Sequence, residues 1–214
     1  MKRFPQLTLL LGLLGLLICS QAFAQDAERI LSKARDKVNN LDAVAVEFKK
    51  KVTFQGGNST AFSGSFYLKG DDKFSLSIQG QHVISDGRKL YSINAEDQEI
   101  TIRNIEKGDR LSPDRLFRLS QDDMKSRYEG QEAIAGHSCH RIALFPQGEA
   151  DYINIVVWID ADEYLPRKMR TNYKNGSVVE YAINSIDTSP DIKASYFKFD
   201  KSNYPGFFVE DLTQ

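Results

Sequence analysis

The stretch FYLKGDDKFSLSIQGQHVISDGRKLYSINAEDQEITI, residues 66–102, decides the fold. Its apolar side chains fall on every second position of successive short runs: Phe66 and Leu68, then Phe74, Leu76 and Ile78, then Val83, then Tyr91 and Ile93, then Ile100 and Ile102. A period of two belongs to strands with one apolar face. Ser85-Asp86-Gly87 separates two of these runs. Asp-Gly between alternating runs is a hairpin signal, because a turn that matches strand twist needs positive φ. The stretch predicts a twisted antiparallel sheet with one face of large, soft side chains. Periodicity does not separate a filled interior from a hollow one, so that face is either an ordinary core or the wall of a cavity for an apolar ligand.

The pattern continues on both sides. Val44, Val46 and Phe48, resuming at Val52 and Phe54, predict a strand that ends in the turn cluster Gly56-Gly57-Asn58. Further strands are expected over 127–133, 138–145, 152–159, 165–173 and 178–186, with Asn175-Gly176 as a second hairpin signal. Tyr196, Phe197 and Phe199 predict a last short strand before Pro205-Gly206 and the apolar tail Phe207-Phe208-Val209. Two helices are expected beside the strands. In residues 26–41, Ile30, Leu31, Ala34, Val38 and Leu41 share one stripe. After Leu111-Ser112-Pro113-Asp114, a capping serine followed by proline at the first helical position starts a short apolar helix with Leu116, Phe117 and Leu119. The fold class is mainly β with helices (α+β), a large antiparallel sheet or barrel, and the mid-chain helix is the leading candidate for a lid.

Residues 1–24 read as a cleaved leader: Lys2 and Arg3, an apolar run from Leu7 to Ile18, and Ala22-Phe23-Ala24 as the cleavage site. Cys19 is preceded by Ile18, where lipidation signals carry a small residue, so cleavage after Ala24 and export are expected. The remaining 190 of the 214 residues form a single domain, 25–214, with 26 basic and 29 acidic residues, a net charge of −3. That balance disfavours a general nucleic-acid binder. Cys139 is the one cysteine left, so no internal disulfide is expected.

The chemistry of an enzyme is missing. The sequence has no G-x-S-x-G nucleophile elbow and no Gly-rich phosphate loop. In His137-Ser138-Cys139-His140, strand alternation sends Cys139 and His140 to opposite faces, so no metal and no cofactor are expected. Asp160, Asp162 and Glu163 lack the ligand spacing of a calcium loop and read as a turn. Lys49, Lys50 and Lys51 mark an exposed face or a docking patch for an acidic partner.

These residues resemble the periplasmic outer-membrane lipoprotein carrier family, LolA type. Ala45-Val46-Glu47-Phe48 follows its A-x-F strand, and residues 64–74, GSFYLKGDDKF, follow its G-x-F-x-L-K-R-P-x-K-F stretch. Ile84-Ser85-Asp86-Gly87-Arg88-Lys89-Leu90-Tyr91 follows V-S-D-G-x-x-L-W, and Phe197-Lys198-Phe199 with Pro205-Gly206 follows the family's ending. The resemblance implies an unclosed antiparallel β-barrel whose concave apolar face is covered by the N-terminal helix and the short mid-chain helix. It implies a periplasmic, non-enzymatic carrier that shields lipoprotein acyl chains. The carrier would take its cargo from an inner-membrane ABC lipoprotein-releasing transporter and deliver it to an outer-membrane acceptor, as a monomer. On this reading Phe48, Phe66, Leu68, Phe74, Leu76, Ile78, Tyr91, Ile93, Ile100 and Ile102 line the lipid site, and Ile30, Ala34, Val38, Leu116 and Phe117 form the lid. Gly70 and Asp71 stand where the family has arginine and proline, and Ile93 where it often has tyrosine. On this reading Lys69 or Lys73 would be the electrostatic substitute for that arginine, without its bidentate fork. The alternatives are the pathway's outer-membrane acceptor, a lipid-sensing periplasmic regulator of the same fold, or a structural β-protein that binds no lipid.

Overall fold

The computed structural model describes residues 26–70, 72–105 and 124–213. The leader with Cys19 and the mid-chain helix with Leu116 and Phe117 lie outside the described residues. Helix α1 spans residues 26–39. It stops there because Asn40 returns to the last turn, its backbone N–H and its side-chain amide both donating to the Asp36 carbonyl at 3.2 and 2.7 Å.

Twelve strands follow among the described residues. β1 (Ala43–Thr53), β2 (Ser59–Lys69), β3 (Lys73–Ile78), β4 (Gln81–Asp86), β5 (Lys89–Asn94) and β6 (Glu99–Asn104) run as one antiparallel meander. β7 (Met124–Ile134), β8 (His137–Pro146), β9 (Tyr152–Asp160), β10 (Pro166–Tyr173) and β11 (Val178–Asp187) form a second. With β12 (Phe208–Asp211) they make one sheet, because β11 pairs with β1; its order is β12-β6-β5-β4-β3-β2-β1-β11-β10-β9-β8-β7, and it does not close.

Both hairpin signals act as their residue types require. Asp86 Oδ1 accepts the N–H groups of Arg88 and Lys89, each at 2.8 Å, while Gly87 takes φ +92°. Gly176 takes φ +80° beside Asn175, whose Oδ1 accepts the Ser177 N–H at 2.9 Å. The expected last strand at Tyr196–Phe199 is not one. Ala194–Phe197 is a single 3₁₀ turn, and a second follows at Lys201–Asn203. The final strand is instead β12, in the segment read as a tail, and it pairs in parallel with β6.

The sheet has two packed faces. The inner face holds Val44, Val46, Phe66, Leu68, Phe74, Ile142, Leu144, Ile155, Val157 and Ile159, and α1 seats Ala27, Ile30, Leu31, Ala34 and Val38 in the same cluster. The outer face carries two smaller clusters, one around Ile84, Ile93, Ile100 and Ile102 and one around Cys139, Ala143, Val156 and Trp158. Trp158 is only 3% exposed because Arg141 and Lys168 lie over its ring and Glu132 accepts its indole N–H at 2.9 Å.

The β9–β10 turn is pinned by Asp160, buried at 2% exposure. Its Oδ1 accepts the N–H groups of Asp162 and Glu163, both at 3.0 Å, and its Oδ2 meets Arg167 at 3.0 Å and His137 Nδ1 at 2.8 Å. Burial works against the charge, but the Glu163 and Asp162 N–H groups and the Arg167 guanidinium outweigh it and hold the carboxyl below its usual range. Asp160→Ala leaves the largely buried Arg167 with the exposed Glu163 alone and is expected to cost about 3 kcal/mol of unfolding free energy at pH 7. Because the folded pKa is depressed, this contribution is complete above about pH 4 and disappears as the pH falls through the lower, folded value. Urea titrations of both proteins at neutral and acid pH measure the difference.

Candidate functional site

The inner face is the large surface among the described residues built from apolar side chains and covered by α1. α1 reaches β1 through residues 40–42 and lies across the face with its buried stripe inward. Beyond the fully buried layer stands a ring of half-buried side chains, Leu76, Ile78, Val83, Met124, Tyr128, Met169, Tyr181 and Ile183. Phe48 crosses the middle of it. Its ring lies over Gly64 on β2 and against Tyr181 on β11, with ring centroids 5.9 Å apart.

Six of the ten expected wall residues share this face: Phe48, Phe66, Leu68, Phe74, Leu76 and Ile78. Tyr91, Ile93, Ile100 and Ile102 do not. They belong to the outer cluster with Ile84, under Phe199, Tyr204 and Phe207. The physical reason is turn length. Gln79-Gly80 and Gly87-Arg88 are two-residue loops, so the antiparallel register pairs an even residue with an odd one. Phe74 faces Ser85, Ser85 faces Leu90 and Leu90 faces Arg103, which sends Ile84, Tyr91 and Ile102 together to the other side. Outside, Tyr91 stacks on Phe199 at 4.7 Å and donates to Asp86 at 3.0 Å. Burial, that hydrogen bond, and the charges of Asp86 and Asp211 push its phenol up to about 12.

Residue reading leaves out the wall's other half. His140, Ile142 and Leu144 on β8 alternate with the same period as Ile155, Val157 and Ile159 on β9, and both sets turn inward. Cys139 and His140 do take opposite faces. Cys139 is buried outside, while His140 lies inside, between Tyr128 and Tyr164. The Lys49-Lys50-Lys51 run is also divided. Lys49 and Lys51 are exposed, whereas Lys50 lies 6.0 Å from the ring centre of Tyr181.

One polar seam joins α1 to the rim. Lys33 Nζ donates to the Tyr164 hydroxyl at 3.2 Å and sits 4.8 Å from its ring centre. Tyr128 and His140 meet at 3.2 Å beneath it. Burial, then the positive charge of Arg29, lowers the His140 pKa, which keeps the ring neutral at pH 7. Burial and Asp26 raise that of Tyr128.

Residues 36–200 match the model of the family described as outer membrane lipoprotein carrier protein LolA. The chain belongs to that family. None of the curated proteins matches it significantly in sequence. An uncharacterised conserved protein of Thermus thermophilus has a similar structure, with a TM-score of 0.57 at 9% identity over 84% of this chain and 98% of that one. MucB superposes with a TM-score of 0.54 at 16% identity over 82% of this chain, which spans 63% of MucB. A LolA superfamily protein of Nitrosomonas europaea gives 0.41 at 14% identity, over 81% and 97% of the two chains. At these identities the likeness to the Thermus protein and to MucB is one of fold.

Lys69 and Lys73, the expected substitutes for the arginine that the resemblance implies, do not turn to the inner face. Gly70 takes φ +63°, Lys69 donates to the Ile192 carbonyl at 3.4 Å, and Lys69 and Lys73 alternate away from the face of Leu68 and Phe74. A cation in inward phase on this half of the sheet is Arg103, opposite Leu90.

Two substitutions test the packing of this site. A Cβ at position 64 would lie 2.5 Å from Phe48 Cζ and 2.9 Å from the Ser77 carbonyl oxygen. Gly64→Ala is therefore expected to cost about 1–3 kcal/mol in urea unfolding as the Phe48 ring is driven off the sheet. Lys33→Ala removes the polar seam and is expected to speed amide exchange in α1 while leaving exchange in β1 and β2 unchanged.

Proposed function

We propose that this family member is a periplasmic carrier that shields lipoprotein acyl chains on its inner face and conveys them from the inner to the outer membrane. The observation that carries this reading is an apolar layer continuous across both meanders, whose cover is a helix on a short tether. α1 can leave the face without breaking a strand pairing. Each acyl CH₂ in water costs roughly 0.8 kcal/mol, so a chain of about 16 carbons needs such a layer to cross an aqueous space. The cargo substitutes for α1 against the same side chains, which makes the net cost of opening small and release to a better acceptor easy. Walls of Phe, Leu, Ile and Val hold by area and impose little geometry, as suits cargo that shares only its lipid.

No covalent step is involved. The donor is an inner-membrane ABC lipoprotein-releasing transporter and the recipient an outer-membrane acceptor. Lys49 and Lys51, exposed on β1, are the docking cations for an acidic partner, with Lys50 turned to the Tyr181 ring.

Binding of a fluorescent diacylated or triacylated lipopeptide to the detergent-free protein tests this. Leu76→Asp and Ile78→Asp, both at half-buried inner positions, are expected to weaken binding at least about tenfold, since a charge must be buried with the chains. Tyr91→Phe on the outer face leaves it unchanged. Equal binding by the aspartate variants and the wild type, or failure of the wild type to bind, overturns the reading.

A further inference from the structure

The C-terminal segment crosses two different surfaces on the outer face. Over β4–β6 it closes on Ile84, Tyr91, Ile93, Ile100 and Ile102 with Phe199, Tyr204 and Phe207. Over β2 and β3 it passes Ser65, Ser75 and Ser77, side chains too short to fill the space. A cleft of about 410 Å³ stays open there. That volume falls in the range of small-molecule sites, ~300–1,000 Å³.

The lining has a definite character. Tyr67 and Tyr196 form one wall, their ring centroids 4.7 Å apart at 50°, yet Tyr196 as a residue remains 44% exposed. Tyr204, stacked on Phe199, also borders the space. The hydroxyls of Ser65, Ser77, Tyr67 and Tyr196 have no hydrogen-bond partner among the described residues, so they offer donors and acceptors to the cleft. Ser75, itself buried, holds His82 Nε2 at 2.9 Å. Burial lowers the His82 pKa, so its ring is neutral at pH 7.

Lys198 and Asp200 bring one charge of each sign. An anion would meet the Asp200 carboxylate beside a single lysine. An apolar ligand would strand the serines without partners. A neutral polyol with C–H faces matches both the rings and the hydroxyls.

We propose that this cleft binds a saccharide of one to three rings, one ring packed on Tyr196 and its hydroxyls bonded to Ser65, Ser77 and His82. The site lies on the opposite side of the sheet from the acyl-chain face, so the two can be tested separately.

Saturation-transfer NMR with glucose, N-acetylglucosamine, maltotriose and chitotriose at about 10 mM, which detects millimolar binding, provides the test. At least one sugar is expected to receive saturation and to shift the Tyr67, Tyr196 and His82 resonances. Tyr196→Ala should weaken it about fivefold through loss of the ring face, and Ser77→Tyr, which fills the cleft from an exposed position, should abolish it. Lipopeptide binding should be unchanged in both variants. The proposal is overturned if none of the four sugars shifts these resonances, or if the shifts survive both substitutions. Circular dichroism checks the fold of each variant. Should Tyr196→Ala fail to fold, the Ser77→Tyr result decides.

Discussion

The antiparallel pairing of β1 with β11, with Val46 beside Ile186 and Phe48 beside Ile183, turns two hairpin meanders into one curved sheet. Without it each half would be a small sheet with an exposed apolar side and two unpaired edges. The register slips between Glu47 and Phe48 in this pairing, and again between Tyr128 and Gln131 where β7 meets β8. Such bulges bend a sheet. Curvature in turn makes the inner face a concavity in which one helix can lie, and α1 presents the small residues Ala27 and Ala34 within its buried stripe. Sheet pairing thus joins the strands to one another, while apolar contact and the Lys33–Tyr164 seam hold α1 to the sheet.

That division decides what each face can do. Strand pairings are cooperative and directional, so the sheet keeps its shape whatever lies on it. The contact of α1 with the inner face is non-directional and scales with area. An aliphatic chain could therefore take the helix's place with little penalty. The outer face works differently. Trp158 between Arg141 and Lys168, and Tyr91 bonded to Asp86, fix defined geometries. Where the outer layer is left incomplete, over the serines of β2 and β3, the groups available are polar and already oriented.

Much of this is legible in the residues. Alternation and two Asx-Gly turns predict the strands, and the helical stripe predicts α1. The order of motifs identifies the family. Face assignment fails on β5 and β6, although the information is present. A two-residue turn inverts the parity of the inward positions, and Val83-Ile84, both apolar, conceals the phase. Buried Ser85, the partner of Phe74, is the residue that reveals it, because its hydroxyl is satisfied by the Asp72 carbonyl at 2.6 Å. The C-terminal strand lies further along the chain than its aromatic residues suggest, for another reason. Phe197 and Phe199 are aromatic because they anchor a strap on a neighbouring surface, and aromatic content alone does not distinguish an anchor from a strand. The sharing of a wall between two meanders has no local signal, since it depends on pairing between distant segments.

That distant pairing also governs how the molecule comes into being. Contacts inside each meander join neighbours in sequence and can form quickly, but β1 must wait for β11 to be present before the sheet is whole. A chain made or threaded from its N-terminus exposes the stripe of α1 and the free edge of β1 throughout that interval. The slow step of folding should be the docking of the two halves rather than the zipping of any hairpin, and during it the nascent protein itself is the species most in need of an escort.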